Sequence, residues 1–182
     1  MLADTHHEAS GYVLRCLQPR HARVYRTLRH LALGEAAPAF GSSLEEELEK
    51  SYRQYLNDLT QYRRSTSDFL LGLFQESDDQ LIGCIGFYRQ KKLKTRHKGL
   101  IWGMYVHRDF RRKGLARWML NDTLQRIRQL EGLEMVHLCV ANQNTAAMQL
   151  YKDAGFKTFG SEPKAFKLED VYYNIQHMYL EV

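Results

Sequence analysis

Apolar positions along the chain switch between two spacings, and the switches divide it into elements. Tyr12–Leu17 reads as a strand. Pro19 then stands where a helix tolerates proline, Tyr25, Leu28, Leu31 and Ala32 recur at helical spacing, and Gly34 supplies a stop. After a loop over Glu35–Gly41, Ser43 and Glu46 form a capping-box pattern. Leu44, Leu48, Tyr52, Tyr55 and Leu59 predict one long helix behind it. Asp68–Gln75 and Gln80–Gln90 read as strands joined by a tight turn at Ser77-Asp78-Asp79. A basic connection, Lys91–Lys98, leads to a further strand over Leu100–Val106. Ala116, Leu120, Leu124, Ile127 and Leu130 place a helix over Gly114–Leu130, stopped by Gly132. Met135–Val140 is a strand and Thr145–Ala154 a short helix with Gly155 behind it. Phe156–Phe159 and Val171–Leu180 read as the closing strands. The order β-α-α-β-β-β-α-β-α-β-β predicts an α/β (α+β) fold. Its mixed, mostly antiparallel sheet has about seven strands flanked by about four helices, with a parallel pair around the crossover helix.

The 182 residues fit one domain, taken as 11–182, after a loose, flexible start over residues 1–10. An apolar share of 44% and a mean hydropathy of −0.51 exclude disorder and a membrane helix, because the longest apolar runs are only strand-sized. The first residues, M-L-A-D-T-H-H-E, lack the apolar core of a secretion signal, so the expected compartment is the cytoplasm. Cys16, Cys84 and Cys139 are far apart, each in an apolar run, and read as reduced core thiols. His6-His7-Glu8 lacks the helical spacing of a metal site, and no metal is expected.

The net charge of +5 is unevenly spread. Arg89–Arg117 holds eleven basic residues and one acid, while the remainder holds 15 basic and 20 acidic residues. A basic segment in an acidic remainder implies an anionic partner: nucleic acid, a membrane surface or a phosphorylated cofactor.

The stretch Y-V-H-R-D-F-R-R-K-G-L-A, residues 105–116, narrows that choice. A strand ends at Val106 and a helix starts near Gly114, which leaves unpaired backbone N–H groups pointing out at a helix start, where the dipole adds positive charge. Such a turn takes phosphate or pyrophosphate. Gly114 allows close approach, Ala116 keeps the first turn small, and Arg111, Arg112 and Lys113 add positive charge on flexible stems. The same pattern also fits a plain helix start with solvated arginines. A second stretch, N-Q-N-T-A-A-M-Q-L-Y-K-D-A-G-F over residues 142–156, makes Asn144 an N-cap. It puts Ala147, Leu150, Tyr151 and Ala154 on one face. Tyr151 then points to the core or to the rim of a cleft.

Together the two stretches resemble the GNAT superfamily of acyl-CoA-dependent N-acetyltransferases. Arg111-Arg112-Lys113-Gly114-Leu115-Ala116 matches the R/Q-x-x-G-x-G/A cofactor signature, and Asn144, Ala147, Tyr151, Gly155 and Phe156 match the second signature in order. The resemblance, of a single-domain bacterial type, implies acetyl-CoA as donor. The arm would align on Met104, Tyr105 and Val106 at a splayed parallel strand pair, with the pyrophosphate on Arg111, Arg112, Lys113, Gly114, Leu115, Ala116 and Arg117. It implies Asn144 against the pantetheine and Tyr151 as general acid at the sulfur. Many relatives carry a basic glutamate on the strand before the cofactor loop; the matching position here is Leu100. Glu35, His97, His137 and His177 are the candidate bases, and Glu35, Phe40, His97 and Tyr173 the candidate acceptor contacts. The acceptor pocket is expected from Leu33–Ser43, the Lys91–Lys98 hairpin and the last two strands. The implied reaction moves an acetyl group to a primary amine of a small molecule, amino acid or protein. The implied partner is a small-molecule or peptide amine; neither nucleic acid nor membrane is expected, and a homodimer stays open. A non-catalytic acyl-CoA-binding module is the alternative.

Overall fold

The computed structural model describes residues 11–182 and the backbone strand Thr5–His7. That strand, β1, pairs antiparallel with β2 (Tyr12–Cys16) at one edge of the sheet. The rest of residues 1–10 lies outside the described residues. Helix α1 (Ala22–Glu35) follows a 3-10 turn at Pro19–His21, then α2 (Leu44–Glu49) and α3 (Tyr52–Arg64). Strands β3 (Phe69–Gln75), β4 (Gln80–Arg89) and β5 (Lys98–Val106) come next. Helix α4 (Leu115–Arg128), β6 (Met135–Ala141), α5 (Thr145–Asp153), β7 (Lys157–Leu168) and β8 (Val171–Glu181) complete the chain.

The eight strands form one sheet in the order β1-β2-β3-β4-β5-β6-β8-β7. Every pairing is antiparallel except β5 with β6, the pair that flanks α4. Two cores share this sheet. One packs α4 and α5 (Leu115, Met119, Leu120, Tyr151) on Ile85, Ile101, Leu138 and Val140. The other packs α1 and α3 (Tyr25, Leu28, Tyr55, Leu59) on Leu70, Cys84 and Tyr105. Strands β6, β7 and β8 contribute no residue to the second core.

Three elements differ from expectation. The second helix is broken at Lys50, because Ser51 and Gln54 form their own capping box behind that of Ser43 and Glu46. The assumed continuous stripe fails at the break, where Leu48 and Tyr52 are exposed while Tyr55 and Leu59 are buried. Helix α1 runs through Gly34 and ends on Glu35. Strand β7 extends well past Phe159, crossing Pro163 by a register shift between Glu162 and Phe166 with Lys164 left-handed at φ 54°. An edge strand tolerates that proline because its free side needs no N–H.

The break between α2 and α3 buries a charge. Glu47 accepts a hydrogen bond from the Tyr55 hydroxyl at 2.8 Å and pairs with Lys50 at 3.1 Å and Arg29 at 3.5 Å. Burial pushes its carboxyl up, but the Tyr55 and Lys50 hydrogen bonds and the Arg29 charge outweigh it and hold the group below the ordinary range. A carboxyl depressed by folding stabilises the fold above its unfolded value, and that stabilisation is lost as pH falls through the folded one. Chemical denaturation from pH 7 to 3 should therefore show stability falling below about pH 4. Glu47→Gln should lower stability by about 3 kcal/mol at neutral pH and flatten that acid limb.

Candidate active site

The site begins with a failure of strand pairing. β5 and β6 pair only through Lys98–Met135, Gly99–Val136 and Leu100–His137, then separate. The cause lies in β5. Its register with β4 shifts between Cys84 and Gly86, and Gly103 takes a left-handed φ of 63°. This bulge turns the outer half of β5 away from β6. A cleft of about 470 Å³ opens between them, with Met104 and Tyr151 on one side of the sheet and Phe40 and Trp102 on the other.

The cleft runs into a second hollow of about 250 Å³ over the start of α4. The two share Val106, Arg111, Ala116, Ala146 and Leu150. Gly114 caps the helix at φ 76°, and Arg112 is also left-handed at φ 64°. The first bond of the helix is Trp118 N–H to Gly114 O, at 3.0 Å. The N–H groups of Leu115, Ala116 and Arg117 precede it and have no carbonyl in the helix to donate to. An anionic chain laid in this groove would meet those donors and the helix dipole.

The basic side chains around this turn are less free than the sequence suggested. Arg111 folds back, donating from Nε to Val106 O at 2.9 Å with its guanidinium over the Tyr105 ring. Lys113 donates to the Tyr12 hydroxyl at 3.2 Å, and Arg117 pairs with Asp153 at 2.8 Å. The anion-binding capacity therefore rests on backbone donors more than on side chains.

Glu35 is the tie between this loop and the rest of the site. Its carboxylate accepts the Tyr105 hydroxyl at 2.9 Å and lies 3.5 Å from Arg111 Nη2 and 3.6 Å from Arg108 Nε. Burial, and then the Glu35 acceptor, push the Tyr105 hydroxyl up to about 12. Helix α1 is thus fastened to β5 and to the turn before α4 through one carboxylate.

Tyr151 projects from α5 into the cleft, edge-on to Phe156, with its hydroxyl 3.7 Å from Met104 Sδ. Burial pushes the hydroxyl up to about 12, so it keeps its proton at neutral pH. Asn144 caps α5 by accepting Ala147 N–H at 3.1 Å and lines the same cleft.

The structure thus brings together Met104, Tyr105, Val106, Arg111, Ala116, Asn144, Tyr151 and Phe40, with Glu35 behind them. It does not bring in His97 or Tyr173. The Lys91–Lys98 connection lies at the start of β5, the paired end, and His97 lines a separate open hollow with Arg89 and Glu134. Tyr173 pairs with Phe166 in the β7–β8 hairpin and does not line the cleft. His137, at the last paired position, has an Nε2 without a partner among the described residues, and burial lowers its pKa. Cys139 is not a core thiol: it is exposed and lines the cleft. The period of β6 carries that signal, since Val136, Leu138 and Val140 are buried and Cys139 falls on the opposite face. Among the described residues no group of three His, Cys, Asp or Glu side chains is arranged to hold a metal ion, and no helix is long and apolar enough to cross a membrane.

Residues 34–156 match the model of the acetyltransferase (GNAT) family. The chain belongs to the GNAT acetyltransferase family. It is 24% identical, over 135 residues, to the spermidine N(1)-acetyltransferase of Vibrio cholerae serotype O1, covering 74% of this chain and 72% of that protein. A spermidine N-acetyltransferase from Vibrio cholerae, solved with CoA and spermine, superposes with a TM-score of 0.77 at 18% identity, covering 94% of this chain and 95% of that one. A Salmonella typhimurium protein solved with its cofactor acetyl-CoA gives 0.80 at 17% identity, covering 94% of each. As a GNAT protein, the chain is an acetyltransferase whose family signatures fall on the cleft and on the α4 turn.

Glu35→Gln keeps an acceptor for Tyr105 but removes the charge facing Arg108 and Arg111. The expected result is several-fold faster tryptic cleavage at Arg108, Arg111 and Arg112 with a melting temperature close to wild type. An unchanged cleavage rate would count against the tie.

Proposed function

We propose that the protein transfers the acetyl group of acetyl-CoA to a primary amine of a small molecule, amino acid or protein, directly, within a ternary complex. The observation that carries this reading is the continuity of the splayed β5–β6 cleft with the unpaired N–H groups of α4. One groove offers an apolar slot for the pantetheine arm and an anion cradle for the pyrophosphate.

In this reading the arm lies along the backbone of Met104, Tyr105 and Val106, with Asn144 beside it. The diphosphate sits on the N–H groups from Arg112 to Arg117. The thioester carbonyl lies in the gap, where a β5 N–H near Val106 stabilises the oxyanion. The amine attacks from the Trp102 and Phe40 side, and Tyr151 protonates the departing thiolate from the α5 side.

A lysine-type amine has a pKa of about 10.4, so a proton must leave before attack. Glu35 is engaged by Tyr105, Arg108 and Arg111, so we assign it to holding the acceptor-side loop and give the proton a water route. A broad hollow meets the cleft at Trp102 and supplies the approach for the acceptor. It carries Glu47, Asp58 and Asp68 against Arg29, Lys50, Arg64 and Lys91. A free polyamine calls for an acidic wall, so this mixed lining fits an acceptor bearing both signs of charge better than a bare polycation.

Tyr151→Phe should lower kcat by roughly 100-fold with little change in the KM for acetyl-CoA, because it removes a proton donor and no donor-binding contact. Coenzyme A release with a panel of spermidine, amino acids and N-terminal peptides reads this; unchanged turnover would remove Tyr151 from the chemistry. Gly114→Val forces a β-branched side chain to a left-handed φ and should raise the KM for acetyl-CoA about tenfold or more, with kcat at saturation less affected.

A further inference from the structure

The wall of the cleft facing Trp102 holds a group the proposed amine transfer does not use. Cys139 Sγ on β6 lies 3.2 Å from Nδ1 of His177 on β8. Nε2 of the same ring lies 3.0 Å from Oε2 of Glu162 on β7. Three adjacent strands thus align a thiol, an imidazole and a carboxylate, each within hydrogen-bond reach of the next. Register makes this arrangement: Cys139 pairs with His177, His177 pairs with Gly160, and Glu162 pairs with Ile175, two residues along β8 on the same face as His177. Phe159 packs beside the imidazole at 6.0 Å.

This is the geometry of an activated nucleophile, with the base oriented by a third group. Cys84 is wholly buried and its thiol is pushed up to about 12, while Cys16 packs against the first core. Cys139 joins a base and a cleft.

We infer that Cys139 is an acyl-accepting nucleophile, which takes the acetyl group from the donor thioester with His177 as its base and Glu162 orienting the imidazole. The inference rests on acetyl-CoA occupying the cleft as proposed above. The Sγ–H proton passes to His177 Nδ1, the Sγ–carbon bond forms, and the carbon–sulfur bond to coenzyme A breaks. The coenzyme A thiolate leaves with a proton from Tyr151, which regains it through solvent from His177. The sum is acetyl-CoA plus thiol giving S-acetyl-cysteine plus coenzyme A thiol. Nucleophile and leaving group stand on opposite faces of the sheet, because the alternation of β6 turns Cys139 away from Leu138 and Val140, which share the core of Tyr151. Partial desolvation and the nearby Glu162 charge hold the thiol up, so Cys139 rests as the thiol and gives up its proton during attack. One thioester replaces another, so excess donor drives the exchange.

The test uses the full chain with acetyl-CoA and no amine, followed by intact-mass and peptide mass spectrometry, with calorimetry of acetyl-CoA binding in parallel. The expected result is one added acetyl group on Cys139, lost in neutral hydroxylamine, absent from Cys139→Ala and retained in Cys16→Ala. His177→Gln should slow its formation roughly 100-fold and Glu162→Gln less, with melting temperatures near wild type. Acetyl-CoA binding without an adduct, an adduct that survives Cys139→Ala, or equal rates in His177→Gln would overturn the assignment. Failure of acetyl-CoA to bind would overturn the donor reading, and this inference with it.

Discussion

A parallel strand pair that stops after three residue pairs is the constraint on which the molecule turns. β5 and β6 hold at Lys98–Leu100 against Met135–His137 and part above them. Parting leaves backbone groups without ladder partners, a cost that a folded protein ordinarily avoids. The bulge at Gly103 makes the separation a fixed shape, because β5 stays paired to β4 on its other side up to Val106. The gap is therefore a rigid slot between two supported strands.

What surrounds the slot follows from the crossover. A parallel pair needs a helix between its strands, and that helix, α4, must start beside the open end of β5. Its unpaired N–H groups are thereby delivered to the mouth of the slot. Helix α5, starting just after β6, brings Tyr151 and the Asn144 cap to the same end. On the opposite face, α1 ends on Glu35, whose carboxylate reaches Tyr105, Arg108 and Arg111. Elements from the two faces of the sheet meet through one acidic side chain, at a position that looked in sequence like part of a loop.

Much of this was readable from the chain, for identifiable reasons. Gly114 and Ala116 after a strand, and Asn144, Ala147 and Tyr151 at helical spacing, are local patterns, and local patterns survive folding. The division of α2 from α3 was readable too, since Ser51 and Gln54 repeat the capping pattern of Ser43 and Glu46, but the apolar stripe across them masked it. The position of His97 could not be read, because it depends on which end of β5 faces the cleft. By sequence pattern the segment around Pro163 falls in neither closing strand, and the edge position of β7 lets the strand pass through it. The partnership of Cys139, His177 and Glu162 depends on the pairing of β6, β8 and β7, which no spacing within one strand reveals.

The irregularity in β7 also bears on association. A twelve-residue edge strand would otherwise present a long row of free backbone donors and acceptors to any other extended chain. Pro163 removes one donor, left-handed Lys164 breaks the repeat, and the Lys164 N–H is turned to the Asn174 side chain at 2.9 Å. The outermost strand is long enough to complete the sheet and too broken to template another, so this edge resists edge-to-edge growth into larger sheets.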